Sequence, residues 1–171
     1  MEFDITARGT VPVGPNGLAR SVPRWVRIVV TGTDPFDLDI RLSWDDDEQR
    51  LVPDDVRVTR RPNGMPVRAA ELARIRIGRL IETNLVAELL DSRGWKGVVE
   101  DHPDADPAAV DGLIYALAHA LGGHNPTQTV ALARNLQPGS AIKRVMRARE
   151  LGYLGEATKG RSGGLTNGTA A

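Results

Sequence analysis

The order of apolar and polar residues in the first sixty positions indicates short antiparallel strands. Apolar and polar side chains alternate strictly from Asp37 to Trp44, which is the period of a strand with one buried face. The run Arg24 to Val30 is similarly rich in β-formers, and the turn-prone stretch Thr31 to Pro35 separates the two. We therefore predict a hairpin, followed by a third strand from Asp55 to Arg60 whose two valines point inward.

The apolar spacing changes after this region. Pro62-Asn63-Gly64 is typical of a turn, and between Ala69 and Leu90 apolar residues recur every three or four positions, which predicts a helix. From Gly94 to Asp106 the periodicity is lost and turn formers accumulate, so a linker is expected there. The pattern thus divides the chain into a front unit at residues 1–97 and a linker at 98–106.

Two helix-start signals follow the linker. Asp106-Pro107 and Asn125-Pro126 each place a side chain that can cap a helix before a proline that fits its first turn. The first helix keeps its apolar spacing until Gly122-Gly123, and the second is about three turns long.

A third helix follows the break at Gln137-Pro138-Gly139. Ser140 is predicted to cap it, and Gly152 is well placed just beyond its end. If Ile142, Val145 and Leu151 face the core, the helix turns Lys143 and Arg147, four residues apart, towards solvent. Arg149 lies seven residues after Ile142 and is expected to pack inward and to pair with an acid of the first helix, such as Asp111.

The segment from Asp106 to Leu154 resembles the helix-turn-helix segments of small bacterial DNA-binding proteins, particularly those whose third helix ends in Ala-Arg-Glu-Leu-Gly-Tyr-Leu, as residues 148–154 do. The resemblance implies that the third helix lies in the major groove and meets bases and phosphates with residues early in the helix and on its outer face. Carried onto this sequence, those positions are Ser140, Lys143, Arg144 and Arg147. The turn Gln137-Pro138-Gly139 departs from the short apolar-to-polar turn that is usual in these proteins.

The distribution of charge is compatible with a nucleic-acid partner. The whole chain has a formal net charge of zero, whereas residues 125–171 contain seven basic and two acidic side chains and carry a net charge of +5. Such a split between halves points to a nucleic-acid-facing end, although an acidic half can also bind its own basic half. Residues 156–171 are rich in Gly, Ser, Thr and Ala, and we expect a flexible tail or wing that touches DNA through Lys159 and Arg161.

Other chemistries have weaker support. The chain has no cysteine, which excludes thiolate catalysis and disulfides and favours a cytoplasmic location. The acidic run Asp45 to Glu48 lacks the spacing of a calcium loop, and His119 and His124 lack that of a helical zinc site. No nucleophile with a matching base and orienting group is evident, so we expect no enzyme activity, metal or cofactor, and no run is long enough for a membrane span.

The sequence therefore predicts an α+β protein: a small antiparallel sheet plus a helix, then a three-helix helix-turn-helix unit at residues 107–155. The expected partner is double-stranded DNA, bound by a transcription regulator. The alternative is a protein-protein adaptor or assembly factor whose basic helix binds an acidic partner. We also expect the fragment from Asp101 onward to fold alone. The front unit is expected to supply contacts for a homodimer or another partner through Trp25, Trp44 or the strand edges Arg24 to Val30, and the alternative role of these residues is in the core.

Overall fold

The computed structural model describes residues 2–32, 36–61, 68, 77–90, 93–123 and 125–155. In these residues a four-stranded antiparallel sheet precedes five helices, so the predicted α+β class is confirmed. The strands are β1 (Glu2–Val13), β2 (Arg20–Thr31), β3 (Phe36–Asp45) and β4 (Arg50–Arg60). The helices are α1 (Ile77–Leu89), α2 (Gly94–Glu100), α3 (Pro107–Ala120), α4 (Pro126–Arg134) and α5 (Pro138–Glu150).

The sheet is a meander in which each strand pairs with the next along the chain. The predicted hairpin corresponds to β2 and β3, where Ile28 lies opposite Ile40, and the predicted third strand is the second half of β4. The sequence analysis missed β1, which places β2 inside the sheet. Residues 33–35 and the predicted turn at 62–64 lie outside the described residues.

One face of the sheet forms a wall of the core. Alternation places Val26, Ile28 and Val30 of β2 in the interior, beside every second residue of β3. The opposite face carries charged side chains that neutralise one another across strands. Arg27, for example, donates two hydrogen bonds to the Asp39 carboxylate, at 2.9 and 2.8 Å, and this contact lowers the pKa of Asp39.

The predicted linker contains a helix. Residues 94–100 form α2, whose Val98 is buried in the core, so an irregular path through residues 98–100 was the wrong expectation. Gly94 has a positive φ of 55°, and the helix is only two turns long, which is too short to establish an apolar period. The first part of the predicted helix at 69–90, residues 69–76, lies outside the described residues.

The helix-start signals work as predicted at two of three positions. Asp106 accepts a hydrogen bond from the Ala108 amide at 2.8 Å, and Asn125 accepts one from the Gln128 amide at 3.1 Å. Ser140 does not cap the third helix, because α5 begins at Pro138 with Gln137 as its N-cap. Proline fits the first turn of a helix, so Gln137-Pro138-Gly139 opens α5 rather than separating it from the turn.

Helix α3 is buried along almost its entire length. Every residue from Ala108 to Ala120 is buried, and the helix packs against α2, α4, α5 and the sheet strands β1, β2 and β4. Six of its fourteen residues are Ala or Gly, and these small side chains allow neighbours to approach on all sides. The core of the sheet and the core of the helices are therefore one continuous cluster.

Three contacts fix the sheet to the helices. Gly14, after β1, has a φ of 116° and lies so close to the Leu113 side chain that a Cβ would overlap it. The Arg20 guanidinium donates to the Asp101 carboxylate at 2.6 Å. Nε2 of the His119 ring, near the end of α3, donates to the Glu48 carbonyl oxygen at 2.9 Å in the turn between β3 and β4.

The burial of α3 changes the expectation for the isolated C-terminal fragment. A chain starting at Asp101 exposes the sheet-facing side of α3, including Leu113, to water, and each fully buried leucine contributes about 1.5–3 kcal/mol through burial. We expect this fragment to show non-cooperative thermal unfolding by circular dichroism, whereas the full chain unfolds cooperatively. A sharp transition of the fragment would show that the helices form an independent domain.

The His119 contact also predicts a dependence of stability on pH. Burial lowers the pKa of His119 below its usual 6.5, so the unfolded chain binds a proton at a higher pH than the folded chain does. The stabilisation from the neutral ring is complete above about pH 6.5 and is lost as the pH falls towards the lower pKa of the folded state, at a limiting slope of roughly 1.4 kcal/mol per pH unit. Urea unfolding between pH 7.5 and 5 should show a smaller loss of stability in His119→Gln than in the unaltered chain. Equal losses would exclude His119 as the titrating group.

Candidate nucleic-acid interface

Helices α4 and α5 are joined by a turn of three residues. Helix α4 ends at Arg134, and Asn135 adopts the left-handed conformation with a φ of 53°. Asparagine tolerates that conformation better than most residues. The Leu136 amide then donates to the Ala131 carbonyl oxygen at 2.8 Å, which closes the end of α4. Gln137 leads directly into α5, so the direction of one helix determines that of the other.

The buried face of α5 consists of Ala141, Val145 and Ala148. These residues are three or four positions apart, as expected for one face of a helix. The opposite side presents Lys143 and Arg147 to solvent, with Ser140 in the first turn also exposed. The predicted outward direction of Lys143 and Arg147 is confirmed.

The two other residues predicted to anchor α5 in the core are exposed. Ile142 retains 52% of its accessible surface and Leu151 retains 41%. Because Ala141 occupies the buried position, the neighbouring Ile142 points towards the side of the helix. Met146, one turn later on the same side, is 56% exposed. The outer surface of α5 is therefore partly basic and partly apolar.

The carboxylate of Asp111 is the central charged group of the three-helix unit. Its side chain, on α3, is 1% exposed. Oδ1 accepts a hydrogen bond from Arg134 Nε on α4 at 2.7 Å, and Oδ2 accepts one from Arg144 on α5 at 3.0 Å. A buried carboxylate needs such partners, because leaving an ion desolvated and unpaired costs several kcal/mol. One side chain thus joins all three helices.

This arrangement changes the role of two predicted residues. Arg144, proposed as a DNA contact, directs its guanidinium to Asp111, although its side chain remains 41% exposed. The predicted partner of Asp111, Arg149, lies elsewhere: its guanidinium carbon is 5.1 Å from the centre of the Tyr115 ring and it donates to the Gly155 carbonyl oxygen. The inward direction of Arg149 was therefore correct, and its acidic partner was wrong.

The start of α3 is fixed to the chain that follows α5. Asp106 Oδ1 caps α3, while its Oδ2 accepts a hydrogen bond from the Tyr153 hydroxyl at 2.9 Å. This hydrogen bond raises the pKa of Tyr153. Gly152, with a φ of 77°, reverses the chain just beyond α5 as predicted.

A shallow cavity of about 350 Å³ lies between the start of α3 and the flank of α5. Carboxylates of α3 and guanidinium groups of α5 share its wall, so its charge is mixed. Its lining residues are Asp106, Pro107, Ala108, Asp111, Arg144, Arg147 and Leu151.

The remaining predicted contacts, Lys159 and Arg161, lie outside the described residues, as does His124. The acidic run at Asp45 forms the turn between β3 and β4, where the Asp45 carboxylate accepts hydrogen bonds from the amides of Asp47 and Glu48, both at 2.8 Å. These contacts give the carboxylate a structural role in the turn.

Comparison of the chain with protein-family models, curated proteins and solved structures gives no match. Among the described residues, no helix has the length and apolar character required to span a bilayer.

Sequence reasoning missed Arg134, which joins α4 to α3 through Asp111 and also donates to the Pro107 carbonyl oxygen at 3.1 Å. A signal was present, because Asp111 is the one acidic residue in the largely apolar run from Ala108 to Leu121. A charge at that position of a buried helix requires cationic partners. The choice among Arg134, Arg144 and Arg149 depends on the angle between the helices, which the sequence does not contain.

The buried position of Asp111 predicts a large effect on stability. Asp111→Ala leaves Arg134, whose side chain is only 18% exposed, without its anionic partner, and removing one member of a buried pair costs about 3–5 kcal/mol. Urea unfolding measures this change. Glu150→Ala is the matched control, since it breaks the exposed pair with Arg147 and should cost under about 1 kcal/mol. Similar losses for the two variants would contradict the central role of Asp111.

Proposed function

We propose that the protein binds double-stranded DNA sequence-specifically, as a cytoplasmic transcription regulator that places α5 in the major groove. The observation that carries this proposal is the orientation of α5: its small apolar residues face the core, and Lys143 and Arg147 point outward on a helix held rigidly by its neighbours. An α-helix fits the major groove of B-form DNA, and a rigid helix can hold side chains at fixed positions against base edges.

The charge of α5 supports the same proposal. The helix contains four basic residues and a single acid, Glu150, at its last position. The pair between Glu150 and Arg147 is exposed on both sides, so it contributes little and can be exchanged for a phosphate. Ser140, at the start of the helix, is placed to donate a hydrogen bond to a phosphate or a base.

The basic residues proposed to contact DNA differ in the role that we assign to them. Within the described part of the chain Lys143 and Arg147 are exposed, and the ion pair of Arg147 is with the equally exposed Glu150, so we assign base and phosphate contacts to them. Arg144 holds α5 against α3, and we assign it a secondary role as a contact to the DNA backbone. Lys159 and Arg161 remain proposed phosphate contacts of the tail.

A second candidate function, an adaptor that binds another protein, is favoured by one observation. Leu132 of α4 and the pair Ile142 and Met146 of α5 are 72%, 52% and 56% exposed, and exposed apolar side chains mark many protein-binding surfaces. In the DNA-binding proposal the same side chains of α5 can contact thymine methyl groups, which are the apolar feature of the major groove.

The response to salt separates the two functions. If α5 and the tail neutralise five to seven phosphates, the logarithm of duplex affinity should fall with the logarithm of salt concentration with a slope of roughly −4 to −6. Fluorescence anisotropy of a labelled duplex selected from a random library, titrated at several salt concentrations, measures this slope. A selection that enriches no sequence, or an affinity that does not change with salt, would favour the adaptor.

Substitution of the outward side chains tests directly whether α5 contacts the DNA bases. Lys143→Ala and Arg147→Ala should each weaken binding to the selected duplex by about 1–3 kcal/mol and reduce its preference over a scrambled duplex. Arg57→Ala, on the exposed face of the sheet, is the control and should leave both affinities unchanged. Unaltered binding by both helix variants would require the assignment of α5 to be abandoned.

A further inference from the structure

Strand β1 lies at one edge of the sheet, so the outward hydrogen-bonding groups of its backbone have no partner strand in the described part of the chain. Such an edge can pair with another strand unless something blocks it. The strand from Arg24 to Val30, which the sequence suggested as a dimer surface, lies in β2. It cannot pair with a strand of another molecule, because β2 is already paired on both sides. Trp25 is half-buried and Trp44 is buried.

The two edges of the sheet differ in how they are protected. Strand β4, at the other edge, contains Pro53 and a register shift opposite Arg41 and Leu42. Proline and bulges are features that prevent edge strands from pairing. In β1 the residues from Glu2 to Arg8 pair regularly with β2 and contain no proline, and the first interruption is Gly9, with a φ of 62°. The open, regular part of the edge is thus seven residues long.

This segment also leaves apolar surface uncovered. Phe3, Ile5 and Ala7 lie opposite Val30, Ile28 and Val26 of β2, respectively, so the two sets of side chains share one face of the sheet. The β2 residues are fully buried, whereas Phe3 is 39% exposed and Ala7 is also exposed. Ile5 is partly buried against the core, and beyond it the described part of the chain provides no layer that covers the apolar face at this edge of the sheet.

We propose that a second copy of this chain pairs with the segment Glu2 to Arg8, antiparallel and centred on Ile5, to form a continuous eight-stranded sheet. In this register Ile5 lies opposite Ile5 of the second copy and Phe3 lies opposite Ala7. The exposed apolar residues of the two copies then form one continuous apolar surface. Glu2 meets Arg8 at both ends, so the two-fold axis creates two pairs of opposite charge. The geometry is allowed because antiparallel partners on one face of a sheet have the same parity.

The charged residues argue for a copy of this chain over an unrelated strand. Glu2 and Asp4 lie at one end of the segment and Arg8 at the other, all on the solvent face. An antiparallel copy reverses this order and brings opposite charges together. Arg8 is also held near the edge, since its guanidinium carbon lies 5.6 Å from the centre of the Trp25 ring.

A charge exchange tests both the surface and the register. Sedimentation equilibrium of the full chain without DNA, over a wide range of concentrations, should show a monomer–dimer equilibrium. Arg8→Glu and Glu2→Arg each replace two attractive pairs by repulsive ones, and each should weaken dimerisation by about tenfold or more. The double variant, Glu2→Arg with Arg8→Glu, should restore most of the loss.

Two controls make the result specific. Arg57→Glu alters charge on β4, the opposite edge strand, and should not change the dimerisation constant. Asp4→Arg with Arg8→Glu should restore less dimerisation than the Glu2 exchange, because in the proposed register Asp4 faces Thr6 and is only diagonal to Arg8. Circular dichroism of each variant confirms that the fold is retained.

A monomer at every concentration would overturn the proposal, as would equal weakening by Arg57→Glu or absence of rescue by the double variant. Rescue by the Asp4 exchange instead would overturn the register. Because no DNA is present, these outcomes do not depend on the proposed DNA-binding function.

Discussion

The position of α5 depends on the carboxylate of Asp111. A buried anion has few arrangements of low free energy, because each oxygen must be matched by a donor and the net charge must be neutralised. Here Arg134 and Arg144 satisfy that requirement from two different helices, at 2.7 and 3.0 Å. Apolar contacts between helices would tolerate some sliding, whereas these hydrogen bonds specify both the distance and the rotation of α4 and α5 relative to α3.

The same constraint separates the basic residues of α5 by role. The guanidinium of Arg144 is paired with the buried Asp111, whereas Lys143 and Arg147 point outward, where a partner can bind them. Ile142 and Met146 are exposed because Ala141, Val145 and Ala148 occupy the interface with the neighbouring helices. A surface with adjacent basic and apolar groups suits a ligand that is both anionic and partly apolar, and the major groove of DNA has this character.

Much of the fold could be predicted from local pattern. Strict alternation identified β3, and Asp106 and Asn125 identified two helix starts, because capping involves neighbours in sequence. The alternation of Phe3, Ile5 and Ala7 with polar residues was a local signal for β1 that the sequence analysis did not use. Helix α2 was missed because seven residues are too few to show a period. The edge position of β1 and the burial of α2 are determined by pairing or packing with distant residues.

The candidate site was predictable to a similar extent. The outward direction of Lys143 and Arg147 follows from helical spacing alone. The placement of Ile142 in the core was wrong, because the rotation of α5 depends on which of its small residues contacts α3. The partners of Asp111 could not be assigned for the same reason: they are set by the packing of three helices and lie 23 and 33 residues away in sequence.

The complete burial of α3 has a consequence for how the chain can change over evolutionary time. A helix on the surface of a protein has one face where residue size can drift without cost, but α3 has neighbours on all sides from Ala108 to Ala120. At Gly112, an added Cβ would lie 3.2 Å from the Tyr153 Cβ, so even a single methyl group requires a neighbour to shift. In lineages that retain this fold, the sequence of α3 should therefore diverge more slowly than that of any other segment. A substitution in α3 should be accompanied by a compensating substitution in an element that contacts it. The exposed side of α5 is under no such packing constraint, so its residues can change as the binding partner changes.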